Sequence, residues 1–171
     1  DSRELAGLVL SGTAGDPARL GKVGTLVAHT EARLRGRRHV STLLDKLSFG
    51  QFNAAFKPNR TDFDWLSRDD AEVDLYVADD LCGNTFTSGF FADLLGGLSA
   101  INDRRQVARV RRDLPVLIVA GGDDPVGDGG KGPLAVAAQY ESVGVADVTC
   151  TIFPGARHEI FNETNRDEVT A

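Results

Sequence analysis

Pro115-Val116-Leu117-Ile118-Val119-Ala120 runs directly into Gly121-Gly122-Asp123-Asp124-Pro125-Val126-Gly127. The first six residues are a continuous apolar stretch, and Val116, Ile118 and Val119 are β-branched. Such a run reads as a buried strand, and the Gly/Asp loop up to Gly132 reads as its exit. Residues 133–143 then carry a helical pattern, and Ala146-Asp147-Val148-Thr149-Cys150-Thr151-Ile152-Phe153 reads as the next strand. Upstream, Leu5-Ala6-Gly7-Leu8-Val9-Leu10-Ser11-Gly12 is a third short apolar run, closed by glycine, and also predicts a buried strand. Strand–helix–strand at this spacing predicts a parallel α/β sheet. Pro154 to Arg157 is a turn, and His158 opens a last helical segment.

Between the first two strands the pattern is helical. Residues 16–38 predict a helix with Asp16 as N-cap, Pro17 at the first helical position, and Leu20, Val23, Leu26 and Val27 on one face. Its end is basic (Arg33, Arg35, Arg37, Arg38), which suits a helix C-terminus facing solvent. Residues 41–56 form a second helical pattern, and a short helix is expected near Trp65. Residues 68–80 are acidic, 84–100 predict an apolar helix, and a charged helix follows to Arg112. The chain therefore divides into an α/β part, residues 1–12 and 115–171, and a helical insertion, residues 13–114. That insertion holds nine of the twelve aromatic residues. Core is the ordinary place for such rings, but a small insertion has limited core, so some are candidates to line an apolar groove.

Composition narrows the function. At 171 residues and 18.3 kDa, one domain is expected. Its folded accessible surface should be about 8,000 Å². A net charge of −6 argues against a nucleic-acid-binding domain. No apolar run is long enough to span a membrane. Two cysteines, Cys82 and Cys150, make no disulfide framework and point to a reducing, cytoplasmic compartment. The sequence contains no methionine, and it opens within a few residues of a strand, so the chain is expected to be part of something longer.

Chemistry should gather where parallel strands end. Asp124 follows one strand and His158 the next, so adjacent strands would bring them together across 34 residues of sequence. An Asp that holds a His is the orienting half of a nucleophilic triad. Spacing alone leaves open an exposed loop Asp and a helix-capping His. Rival motifs fail. Gly127 to Gly132 matches G-x-G-x-x-G, but it starts well past the strand end and three Asp would repel a pyrophosphate. The Walker pattern fails at Pro125 and Gly132, and Asn162 stands where a zincin needs its second His. No metal site is indicated.

Gly121-Gly122-Asp123-Asp124-Pro125-Val126-Gly127 and Phe153-Pro154-Gly155-Ala156-Arg157-His158-Glu159 resemble α/β-hydrolases, most closely the monoacylglycerol lipase and lysophospholipase-like branch near the serine aminopeptidase-like hydrolases. Phe63-Asp64-Trp65-Leu66-Ser67-Arg68-Asp69, Asp79-Asp80-Leu81-Cys82-Gly83 and Phe86-Thr87 resemble that branch's cap. The tail Asn162-Glu163 with Asn165 to Val169 also fits. The resemblance implies a partial α/β-hydrolase fold: the last three parallel strands, with residues 13–114 as a helical cap.

It further implies Asp124, directly before Pro125-Val126, as the triad acid and His158 as general base. Phe52, Phe86 and Phe90 are candidate substrate-binding residues of the cap. The family's nucleophile sits in a G-x-S-x-G elbow. Ser11, Ser48, Ser88 and Ser99 lack that setting, so the nucleophile and oxyanion hole are expected upstream of Asp1. The implied activity is serine-dependent hydrolysis of a lipophilic carboxylic ester, monoacylglycerol- or lysophospholipid-like, without metal or cofactor. The implied partner is the missing N-terminal half of the protein. A non-catalytic module that binds a lipophilic ligand through the cap is the alternative; a nucleotide-binding domain rests only on the weak Gly127–Gly132 match.

Overall fold

Leu8–Ser11 (β1), Val116–Gly121 (β2) and Val148–Phe153 (β3) pair in that order as a three-stranded parallel sheet in a computed structural model that describes residues 2–16 and 18–171. The register aligns Leu10 with Ile118 and Ile118 with Cys150, so alternate residues of all three strands share a face. On one face Leu8, Leu10, Val116, Ile118, Val148 and Cys150 pack with Val136 and Ala137 of a covering helix and with Leu114 and Val145.

The opposite face is divided. Toward the strand C-termini, Val119 and Phe153 are covered by Ala156 and Ile160. Toward the N-termini, Val9 (59 % exposed), Leu117 (38 %) and Thr149 stay open to solvent. With Gly7, Pro115 and Asp147 they line a shallow groove of about 280 Å³. The expectation of a buried first strand is corrected here: β1 pairs with β2 alone, and its Val9 face meets no other layer among the described residues. The whole surface is 10442 Å², against about 8,000 Å² for a compact chain of this mass.

Between β1 and β2 lie Ala18–Arg35 (α1), Thr42–Ser48 (α2), Asp70–Ala78 (α3), Ser88–Ile101 (α4) and Arg104–Val107 (α5). α1 and α4 pack through Ala28, Phe91, Ala92 and Leu95, with Leu44 of α2 beside them. The two helices meet closely at Gly24, where a Cβ would lie 3.2 Å from Leu95 Cδ1 and that side chain would have to give slightly. Side-chain caps set the helix starts: Ser41, Asp69, Thr87 and Asp103 each accept a backbone N–H of the following turn. The expected Pro17 start and the Leu20 side chain lie outside the described residues.

Several boundaries differ from those expected. α1 stops at Arg35 because Gly36 (φ 91°) turns the chain, so Arg37 and Arg38 lie outside it. The 41–56 pattern splits into α2 and a 3₁₀ stretch, Phe49–Phe56. Near Trp65 there is no helix: Asp64 accepts the backbone N–H groups of Arg60 and Thr61 and folds 60–66 into turns. The acidic stretch 68–80 becomes α3, with Asp69 at its cap. The charged helix to Arg112 is reduced to the single turn of α5. Beyond β2, Lys131–Ser142 is α6; beyond β3, a 3₁₀ turn (Ile160–Asn162) leads to Arg166–Thr170, α7. His158 opens no helix but sits in the loop before that turn.

Candidate active site

β2 and β3 are adjacent, parallel and in register, so their C-terminal ends emerge side by side. Asp124 lies three residues past the end of β2 and His158 five past the end of β3. The structure brings them together: His158 Nδ1 lies 3.1 Å from Asp124 Oδ2. Asp124 is fully buried (0 % exposed), whereas Asp123 is exposed. The second carboxylate oxygen of Asp124 accepts the N–H of Val126 at 2.8 Å. The Asp124 backbone is held as well, with its carbonyl accepting Gly129 N–H at 2.9 Å.

Two glycines let the strands reach this close. Gly121 ends β2 directly beneath the His158 loop; a Cβ there would lie 2.1 Å from Ala156 O and 2.2 Å from Arg157 O. Gly12 (φ 57°) ends β1 against the histidine itself, where a Cβ would lie 3.1 Å from His158 Nδ1 and 3.0 Å from its carbonyl oxygen. The loop is fastened to β2 by Asp123 N–H to Ala156 O (2.9 Å) and Gly122 N–H to Phe153 O (2.8 Å).

Trp65 flanks the imidazole, with ring centroids 5.3 Å apart. His158 N–H bonds to Trp65 O at 3.4 Å and Glu159 N–H to Leu66 O at 2.8 Å. The Arg157 guanidinium donates to the carbonyls of Asp64 and Ser67 and lies over the Phe56 ring. Arg166 continues this seam, donating to Asp69 and Glu72 at 2.5 Å each. Burial pushes the Asp64 carboxyl up, but Thr61 Oγ1, two backbone N–H groups and the Arg60 charge outweigh it and hold the group below its ordinary range.

Beyond Trp65 opens a cavity of about 490 Å³ lined by Phe49, Phe63, Trp65, Tyr76 and Phe86, with polar groups from Asp45, Lys46 and Asn53 among others. Burial raises the Tyr76 phenol above its ordinary value. Of the candidate aromatic residues, Phe86 lines this cavity. Phe52 packs behind Trp65 at 5.0 Å and Phe90 stacks on Phe86 at 4.0 Å; neither is part of the wall. Among the described residues no group of three or more His, Cys, Asp or Glu is arranged to hold a metal ion.

An Asp on Nδ1 fixes the imidazole tautomer and orientation and leaves Nε2 to take or give a proton. Sequence reasoning found the pair but missed its supports: Gly12, Gly121, Trp65 against the imidazole, and Glu163, described below. A glycine at a strand end was visible in the sequence; which loop crosses above it was not.

No curated protein matches the sequence. Solved structures do. A thermostable carboxyl esterase from Bacillus coagulans, in complex with glycerol, superposes with a TM-score of 0.87 at 26% identity, covering 96% of this chain and 54% of that one. The monoacylglycerol lipase of Paleococcus ferrophilus gives 0.64 at 21% identity, covering 97% and 56%. A soluble variant of monoglyceride lipase from Saccharomyces cerevisiae gives 0.64 at 20%, covering 96% and 53%; these last two share the fold. The chain thus spans about half the length of the structures it matches. The model of one family, described as serine aminopeptidase, S33, matches residues 1–165. With its three parallel strands and the Asp and His at the strand ends, the chain belongs to that family of α/β-hydrolases.

Proposed function

We propose that this chain is the acid–base part of a serine hydrolase that cleaves a carboxylic ester of a lipophilic, monoacylglycerol- or lysophospholipid-like substrate. The observation that carries the reading is the buried Asp124 bonded to His158 at the ends of adjacent strands. In this mechanism His158 Nε2 takes the proton from a Ser hydroxyl supplied upstream of Asp1 as the Ser oxygen bonds to the ester carbonyl carbon. The resulting oxyanion is held by backbone N–H groups of the upstream half. His158 then gives the proton to the leaving alcohol as the C–O bond breaks, and repeats the cycle with water to release the acid. Asp124 keeps the ring oriented and stabilises the imidazolium.

Residues 13–114 act as the cap. The aromatic cavity beside Trp65 is sized for an acyl chain or its alcohol, and Phe86 is its substrate contact; Phe52 and Phe90 support Trp65 and Phe86 from behind. The N-terminal half of the protein covers the open edge of β1 and the bare Val9–Leu117–Thr149 face; the surface in excess of a compact chain supports this. Unpaired Cys82 and Cys150 support a cytoplasmic location. No helix of the described residues is long and apolar enough to cross a membrane.

The test uses the full-length protein. A fluorophosphonate probe should label one serine, and His158→Ala should abolish hydrolysis of p-nitrophenyl and monoacylglycerol esters while the circular dichroism spectrum stays unchanged. Full activity in that variant overturns the assignment.

A further inference from the structure

We propose that Glu163 is a positioning residue for His158: its buried carboxylate sets the backbone from which the imidazole is presented and locks it to the Trp65–Arg68 segment. The inference rests on the reading of His158 as the general base. Glu163 is 0 % exposed, and both of its oxygens are fully used. Oε1 accepts the N–H of Arg157 at 2.7 Å and of Arg68 at 3.2 Å. Oε2 accepts Arg68 Nε–H at 2.8 Å and Thr164 N–H at 3.1 Å. Arg68 is itself fixed by Asn165 Oδ1, 2.8 Å from its Nη2. One side chain therefore joins three stretches of chain: residue 68, residue 157 and its own turn.

A carboxylate is removed from water only when its charge and lone pairs are met. Here the Arg68 guanidinium meets the charge and three backbone N–H groups fill the rest. The geometric consequence falls on His158. Asp124 grips the ring through Nδ1 and can set its rotation, but it cannot place the Cα. That is done from the other side, where the N–H of the preceding residue, Arg157, ends on Glu163. The seam continues through His158 N–H to Trp65 O, Glu159 N–H to Leu66 O, and Ser67 Oγ–H to Asn162 O at 2.7 Å. Because Trp65 also walls the aromatic cavity, the same carboxylate holds the base and the binding surface in one frame.

Glu163→Gln keeps the volume and one acceptor oxygen, but it sets an NH₂ against the Arg68 Nε–H and Thr164 N–H donors. In the full-length protein we expect kcat per fluorophosphonate-titrated site to fall by up to about 100-fold, the cost of misplacing a reacting group by roughly 1 Å. KM should change less than kcat: Trp65 is one wall of the cavity, but Phe49, Phe63, Tyr76 and Phe86 make the rest of its aromatic lining and carry no bond to Glu163. The downfield ¹H resonance of the Asp124–His158 hydrogen bond should broaden or vanish. Unchanged turnover per titrated site with an intact resonance overturns the proposal, even if the variant melts earlier. If Glu163→Gln does not fold, Arg68→Lys, which keeps the charge but loses the Nε–H donor, is judged by the same two readouts. A wild-type protein that hydrolyses no ester overturns the functional reading; the resonance comparison then still decides the positioning role.

Discussion

Gly121→Ala is the sharpest test of how the site is assembled. The added methyl would sit 2.1 Å from Ala156 O and 2.2 Å from Arg157 O. Carbon–oxygen contacts settle no closer than about 3.3 Å. The loop must therefore retreat by roughly 1.2 Å, the difference between that limit and the 2.1 Å approach. Both obstructing atoms are backbone, so no side-chain rotation relieves the overlap. The retreat strains the Asp123 N–H to Ala156 O bond, now 2.9 Å, and carries His158 away from Asp124, now 3.1 Å distant. Beyond about 3.5 Å that contact is no longer a hydrogen bond. Overpacking of this kind costs about 1–3 kcal/mol, and a weakened buried hydrogen bond adds about 1 kcal/mol. We expect a loss of roughly 3 kcal/mol in stability, seen as a lower urea midpoint. On the proposed function, turnover of a p-nitrophenyl ester by the full-length protein should fall on the order of 100-fold. Gly96→Ala, where an added methyl meets nothing within 4 Å, is the control. A Gly121→Ala protein with wild-type midpoint and turnover would refute the claim that this glycine makes room for the histidine loop.

Other outcomes follow from the same geometry. Asp124→Asn offers an amide where Nδ1 needs an acceptor, so kcat in the full-length protein should fall by about 10³- to 10⁴-fold with the fold retained, as read by ester hydrolysis and circular dichroism. Gly97→Ala lies on the exposed side of α4 with open space around it, and should stabilise the protein by about 0.5–1 kcal/mol in urea denaturation. Asp64 has its folded pKa below the unfolded value of about 3.9. Its contribution is therefore complete above that value and is lost as pH falls through the lower folded one. Asp64→Asn should lower stability at pH 7, and the gap from wild type should narrow below about pH 4; a gap independent of pH would contradict the assigned linkage.

Much of this arrangement was legible in the order of residues. β2 shows as a continuous apolar run and β3 as a stretch in which Val148, Cys150 and Ile152 alternate with Thr149 and Thr151, and the loops leaving them carry Asp124 and His158. Local chemistry misled where it competes with periodicity. The short helix expected near Trp65 is replaced by turns, because the Asp64 carboxylate captures two backbone N–H groups. β1 looks buried until its Val9 face is seen to lack a covering layer. The aromatic residues of 13–114 could be counted but not placed, because helical phase alone does not separate the cavity wall at Phe86 from Phe52 and Phe90 behind it.

By itself the sequence determined the parallel α/β class, the helical segment between β1 and β2, and the two titratable residues at adjacent strand ends. Those follow from hydrophobic run length and from short-range order, which are local properties. The resemblance had already singled out Asp124 over Asp123; only the tertiary structure decided how deeply it is buried, which glycines admit the loop above β2, and that Glu163 joins residues 68 and 157. These depend on distances between segments far apart in the chain, such as the 95 residues between Arg68 and Glu163. Such distances are set by packing of whole layers, and no local pattern encodes them.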